Sequence, residues 1–249
     1  HRHPAMTIDL VRAGKHVLCE KPIAWRRADA ERIYDEARTA GRVVVEALAY
    51  THTEWVDAVR TALDAIGPVR KFEGRFEIEI ASGSTSNVRY SRAMAGGAMM
   101  DLGCYPMGWA RLLFGEPDPG SRSARMEPVD LYEHTEPGDA VDGTSWARWT
   151  AGGAKGVEVD LACSMTRADR WEARRIGERG EIEGPFLSRP TGVVVRTADD
   201  ERRIGHPGDR DAGQHPAAEQ RGPDHRRPAG RPPALERREP GLERGDLRL

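Results

Sequence analysis

A lysine and an aspartate–tyrosine pair are the residues of this 249-residue chain whose types and settings suit chemistry. Lys21 stands next to last in the run Ala13-Gly14-Lys15-His16-Val17-Leu18-Cys19-Glu20-Lys21-Pro22. At the carboxyl end of a parallel strand a lysine stands in the crevice where open α/β sheets bind ligands. Pro22 cannot donate to a ladder, so the chain must leave the strand there. A lysine at a strand end is also an ordinary surface residue, and the run by itself does not decide between the two. Asp101 and Tyr105 lie in Ala95-Gly96-Gly97-Ala98-Met99-Met100-Asp101-Leu102-Gly103-Cys104-Tyr105-Pro106. Four apart on a helix, they share a face on which a carboxylate and a phenol can act together. That face is otherwise apolar, and polar groups placed there need partners or a task. Pro106 deprives the Leu102 carbonyl of its helical donor, so a kink is expected within a turn of both side chains. The plainer alternative is an aspartate near the positive end of a helix and a half-buried core tyrosine.

The surrounding pattern indicates what positions these residues. Residues 4 to 13 place Met6, Leu10 and Val11 at helical spacing, and Gly14 closes the helix. His16 to Glu20 reads as a buried strand. Residues 27 to 40 carry Ala30, Ile33, Tyr34 and Ala37 on one helical face, and Val43 to Ala47 reads as a second strand. Helix, strand, helix, strand at this pitch is the signature of a parallel α/β unit. A third helix spans Glu54 to Ile66. Val69 to Ile80 then alternates Phe72, Gly74, Phe76, Ile78 and Ile80 against Lys71, Glu73, Arg75, Glu77 and Glu79, a half-exposed strand of a mixed or antiparallel sheet. A polar loop over 82 to 92 precedes a helix from about Gly97 to Phe114, and strands are expected over 126–132, 143–150, 155–164, 171–176 and 192–197. The fold class expected is α/β: a remnant of a Rossmann-type parallel βαβ domain (1–48), then an α+β domain with a large open, mostly antiparallel sheet (49–204). Residues 205–249 form an Arg/Pro/Gly-rich tail. From His206 onward there is no Val, Ile, Met, Phe, Tyr, Trp or Cys, so the tail cannot bury enough apolar surface to offset its ordering entropy. It reads either as a disordered linker or as the out-of-frame end of a GC-rich gene.

Composition excludes some partners. With 38 Lys+Arg against 40 Asp+Glu the formal net charge is −2, which argues against a binder of nucleic acid or of anionic membranes. Cys19, Cys104 and Cys163 fit no zinc spacing and are odd in number, as expected of a reduced, cytoplasmic protein. No run approaches the roughly 18 apolar residues that a membrane span needs. No metal site is expected.

Taken jointly, AGKHVLCEKP, AGGAMMDLGCYP about eighty residues later, and ARLLFGEP make the chain, over roughly residues 3 to 200, resemble the glucose-fructose oxidoreductase and inositol dehydrogenase (Gfo/Idh/MocA) family. The match is to its branch with Tyr in place of His after the Asp, which includes sugar and dihydrodiol dehydrogenases. The resemblance implies an NAD(P)-dependent dehydrogenase acting on a sugar, polyol or cyclic diol, and a homo-oligomer associating through its sheet face. It maps cofactor binding to Glu20, Lys21 and Pro22, catalysis to Lys21, Asp101 and the proton-transferring Tyr105, and substrate binding to Asn87 and Arg89 of the NVRY stretch. His3 stands where the family has a histidine ahead of this strand, whereas Thr51 stands where many relatives show an arginine. Relatives also begin with a strand, a GxGxxG turn and a helix whose N–H groups hold the pyrophosphate, and no GxGxxG occurs here. The resemblance therefore implies a segment ahead of His1, and the acidic or basic residue choosing NAD or NADP would lie there.

The chemistry agrees with that mapping. Removing a hydride from a carbinol carbon requires a base for the hydroxyl proton, and a phenol with a pKa near 10 is a poor base unless a cation lies close by. Lys21 is the expected cation. Two other readings fit the same residues: an inactive fragment of the family that serves only as an association module, and the NAD-dependent glycosidase chemistry of one family branch.

Overall fold

A computed structural model describes residues 1–80, 87–129, 140–153, 156–185 and 192–204. The expected tail, part of the loop over 82–92 and the end of the strand expected at 126–132 lie outside the described residues. Those described fall in one compact unit, His1–Asp209.

The first four elements are α1 (His3–Arg12), β1 (Val17–Glu20), α2 (Arg27–Thr39) and β2 (Val44–Ala47). Strands β1 and β2 pair in parallel with Val17 opposite Val44 and Glu20 opposite Ala47, the βαβ pairing that the helix–strand alternation predicts. Proline in the first turn of α1 costs no helical hydrogen bond. Ile8, Cys19, Ile23 and Ile33 form the small core beneath this pair.

Helix α3 (Glu54–Ile66) leads into β3 (Val69–Glu77), the centre of an eight-stranded sheet. The other strands are β4 (Ser123–Val129), β5 (Val141–Ala151), β6 (Val157–Ser164), β7 (Arg170–Gly177), β8 (Gly180–Gly184), β9 (Val193–Thr197) and β10 (Glu201–Ile204), in the spatial order β10-β9-β8-β7-β3-β6-β5-β4. Only β3 and β6 run parallel, and every other neighbouring pair is antiparallel. The sequence periodicity missed β8 and β10, because each is short and carries mostly charged or glycine residues. One face of the sheet buries Phe72, Val159, Leu161, Ala173 and Ile182 with Trp55, Val59 and Ile66 of α3 and with Trp109 and Ala110 of the fourth helix. Each such large side chain removed from water contributes about 1.5 to 3 kcal/mol. The opposite face carries Lys71, Glu73, Arg75, Arg174, Glu181 and Arg196 in ion pairs.

The helix expected from Gly97 begins as a π-turn, Met99–Gly103, and becomes α-helical as α4, Cys104–Phe114. In a π-turn the carbonyl of Asp101 would pair with the N–H five residues on, which is Pro106 and has none; the same proline denies an α-type donor to Leu102. The kink expected at Pro106 thus takes the form of a widened turn, and the Asp101 carbonyl within it accepts from the side chains of Lys21 and Cys104.

Candidate active site

Lys21 leaves the carboxyl end of β1 through a cis peptide bond to Pro22. Its Nζ donates to the Asp101 backbone carbonyl at 2.6 Å and to Asp101 Oδ1 at 3.1 Å. The other carboxylate oxygen, Oδ2, accepts from Arg89 Nε at 2.6 Å. Lys21 Nζ also lies 4.9 Å from the centre of the Tyr105 ring, within cation–π range. The lysine, the Asp–Tyr pair and Arg89 therefore meet in one cluster. Asn87, two residues before Arg89, accepts from the Arg89 N–H at 3.1 Å and shapes the turn Val88–Tyr90 that holds it. Glu20 accepts from the Lys21 N–H at 3.2 Å, and the Pro22 carbonyl meets His3 Nδ1 at 2.8 Å.

Charge in the cluster is balanced by neighbours. Burial opposes the Lys21 ammonium, but Asp101 together with Cys104 and Tyr105 outweighs it and holds the lysine above its ordinary pKa. Burial likewise pushes the Asp101 carboxyl up, yet the Arg89 hydrogen bond and the Lys21 charge together hold it below the usual carboxylate range. For Tyr105 the expected outcome is reversed. Burial raises the phenol above its ordinary value, and the charge and hydrogen bond of Lys21 offset only part of that rise. The half-buried Cys104 thiol beside them is pushed up by desolvation to about 11 and stays protonated.

Tyr105 is fixed by aromatic contacts. Phe76 meets it edge-on at 5.4 Å, and Tyr50, stacked on Trp109 at 5.2 Å, donates from its hydroxyl to the Tyr105 backbone carbonyl at 3.4 Å. A cavity beside the cluster is lined by His3, Pro22, Trp25, Met100, Arg89 and Asp101, among others. Lys21 and Tyr105 are not among its walls. Asp101 presents itself to the space, Lys21 is drawn onto Asp101 with its Nζ against the Tyr105 ring, and Tyr105 is packed against Phe76.

Two carboxylates that sequence reasoning missed tie down the segments carrying these residues. Glu46 of β2 accepts from the Ile23 N–H at 2.9 Å, just beyond Lys21-Pro22. A carboxylate within the apolar run VVVEA was the available signal, since such a group needs a partner. Asp142 of β5 accepts from the Met99 N–H at 2.7 Å and from Ser145 Oγ at 2.7 Å. Nothing in its own surroundings marks it, because it meets Met99 only through the tertiary fold. Among the described residues no group of His, Cys, Asp and Glu is arranged to hold a metal.

For a nicotinamide dinucleotide, the cavity's apolar walls from Trp25 and Met100 and its polar edge at Arg89 and Asp101 suit the ring end of the cofactor. The pyrophosphate end finds no GxGxxG turn in the chain.

Residues 1–48 match the model of the oxidoreductase family with an NAD-binding Rossmann fold, and residues 56–183 match that of the GFO/IDH/MocA C-terminal domain. The chain belongs to the GFO/IDH/MocA oxidoreductase family. It is 33% identical over 210 residues to the dTDP-3,4-didehydro-2,6-dideoxy-alpha-D-glucose 3-reductase of Streptomyces violaceoruber, covering 81% of this chain and 58% of that protein. Identity to the scyllo-inositol 2-dehydrogenase (NADP(+)) IolU of Bacillus subtilis is 31% over 204 residues, 79% of this chain and 58% of that one. The crystal structure of KijD10, a 3-ketoreductase from Actinomadura kijaniata in complex with NADP and TDP-benzene, superposes with a TM-score of 0.69 at 26% identity, over 83% of this chain and 62% of that chain. The chain thus spans less than two thirds of the length of each of these relatives.

Proposed function

We propose that the chain carries the substrate-side machinery of an NAD(P)-dependent oxidoreductase that moves a hydride between a nicotinamide and a CH–OH carbon of a sugar, polyol or cyclic diol. The observation that carries this reading is the convergence of Lys21 on Asp101 and over the Tyr105 ring. When bound, the nicotinamide supplies the hydride acceptor or donor. Tyr105 handles the hydroxyl proton. With its pKa raised above 10 the phenol is protonated at neutral pH, which suits proton donation to a ketone during reduction; alkaline conditions favour the reverse direction. Lys21 favours the phenolate by its charge, and Asp101 holds the lysine in place. Arg89 and Asn87 lie at the substrate side, and Glu20, Lys21 and Pro22 at the cofactor side. Support for either NAD or NADP as cofactor comes from the family, and the inositol dehydrogenase relative is an NADP(+) enzyme.

The same reading includes a second copy associating through the ion-paired face of the sheet, and a cytoplasmic location consistent with three free cysteines. No helix among the described residues is long and apolar enough to cross a membrane.

The test joins this chain to the GxGxxG-containing segment of the Streptomyces reductase and follows NAD(P)H oxidation with keto sugars, and NAD(P)+ reduction with inositols and dihydrodiols. Turnover that Tyr105→Phe lowers by about a hundredfold or more is expected, as for loss of a general acid–base group. A chimera that folds and binds cofactor yet turns over none of these substrates favours the association-only alternative.

A further inference from the structure

We infer that Asp142 is a positioning residue of this site: it sets where the π-turn Met99–Gly103 begins and so aims Asp101 at Lys21. This rests on the reading of Lys21, Asp101 and Tyr105 given above. Helix N-termini leave N–H groups without intrahelical partners, and a side-chain oxygen ordinarily supplied from the residue just before the helix satisfies one of them. Ala98, in that place here, has no side chain able to do so. The acceptor comes instead from a strand 43 residues further along the chain, where Asp142 Oδ2 takes the Met99 N–H at 2.7 Å. Ser145 Oγ donates to the same oxygen at 2.7 Å and holds the carboxylate in place.

The approach is too close for any side chain at the start of the turn. A Cβ on Gly97 would lie 2.0 Å from Asp142 Oδ1, and Gly97 adopts φ +117, which L residues rarely take. The Gly97 carbonyl in turn accepts from the Asp101 N–H at 3.0 Å. An unbroken path therefore runs from Asp142 through Met99 and Gly97 to the backbone of Asp101, whose carbonyl and carboxylate receive Lys21. Gly97 of the Gly96-Gly97 pair finds its use in this contact, whereas Gly96 lies against the Arg89 carbonyl.

The experiment follows the Lys21 ζ-ammonium by proton–nitrogen NMR on the full chain, a signal visible only when the group is hydrogen-bonded and shielded, together with amide exchange at Met99. Neither readout depends on turnover, so its failure is distinguishable from failure of the oxidoreductase reading. In Asp142→Ala the ζ signal is expected to be lost while the amides of the β3–β6 pair keep their protection; a retained signal in a folded Asp142→Ala overturns the proposal. Asp142→Asn, close in shape and still able to accept from Met99, is expected to keep the ζ signal while Met99 exchange quickens about tenfold relative to Val159. Unchanged exchange at Met99 in Asp142→Asn overturns the proposal even if the alanine variant does not fold.

Discussion

Lys21 and Asp101, eighty residues apart in the chain, meet through two hydrogen bonds from one ammonium, to the aspartate's carbonyl at 2.6 Å and to its carboxylate at 3.1 Å. The Cys104 thiol donates to the same carbonyl, and the carboxylate is shared with Arg89. The residue that follows β1 is thereby joined to the π-turn that leads into α4.

This pairing gives Asp101 a pH signature. Its carboxyl is held below the ordinary value, so its contribution to stability is present above the unfolded-state pKa of about 3.9 and is lost as pH falls through the lower folded-state value. Lys21, raised instead, contributes below its ordinary pKa and loses that contribution only in strongly alkaline solution, so it leaves the acid limb unchanged. Arg89→Met is expected to move the Asp101 midpoint upward in a carbon-detected NMR titration and to start acid unfolding at a higher pH. A midpoint that stays put would show that Arg89 does not hold this carboxylate.

Arg175 predicts a stabilising substitution. It is fully buried between Phe72 and Trp109, its guanidinium 5.6 and 5.4 Å from their ring centres, and it donates once, to the Ala173 carbonyl at 3.4 Å. Nε and Nη2 meet no hydrogen-bond partner among the described residues, and burial lowers its pKa to about 10. The two rings recover part of the desolvation cost, but without a carboxylate the remainder is not offset. Arg175→Met should therefore raise stability by about 1 to 3 kcal/mol, read as a higher Tm in calorimetry. Arg175→Ala, which leaves a cavity, should gain less or lose. A drop in Tm for the methionine variant would mean that the guanidinium has a partner in the folded protein.

The contact between α4 and Tyr50 can be tested by rescue. A Cβ on Gly108 would lie 2.1 Å from the Tyr50 hydroxyl, so Gly108→Ala should cost about 1 to 3 kcal/mol by forcing Tyr50 off Trp109. Tyr50→Phe removes the oxygen and one hydrogen bond, worth about 1 kcal/mol. In the Tyr50→Phe background the same alanine should become neutral or stabilising, since alanine is favoured over glycine within a helix by about 1 kcal/mol. Denaturant unfolding of the four proteins decides it, and equal costs of the alanine in both backgrounds would refute the clash.

Cofactor affinity separates what the cluster offers from what this chain holds. Most dinucleotide affinity comes from the pyrophosphate turn and the residue reading the ribose, and several charge-assisted bonds of about 1.5 to 3 kcal/mol each are lost without them. Calorimetric titration of the chain is expected to find NAD(H) and NADP(H) bound no more tightly than millimolar. A micromolar Kd for either would reveal a mode of holding the dinucleotide that does not use GxGxxG.

Much of the architecture was legible beforehand, because helix and strand periodicity are local properties. The apolar spacing in α1, α2 and α3 and the alternation of Phe72, Gly74 and Phe76 with Lys71, Glu73 and Arg75 each arise from burying one face of one element. Lys21, Asp101 and Tyr105 stand out from short motifs, since side-chain chemistry and spacing are written locally, whereas Asn87 and Arg89 follow only from the family resemblance. The helix over 97–114 was legible as a helix, but its π-turn was not. That turn depends on Pro106 inside the segment and on Asp142 outside it.

What the sequence alone determined, then, was which elements form and which residues have chemistry to offer. Tertiary structure decided which of those residues touch. It drew the Lys21 ammonium onto Asp101 and against the Tyr105 ring, raised the phenol rather than lowering it, and enlisted Glu46 and Asp142 as backbone anchors. The physical reason is that desolvation and hydrogen bonding depend on distances between segments tens of residues apart, and no local pattern encodes those distances.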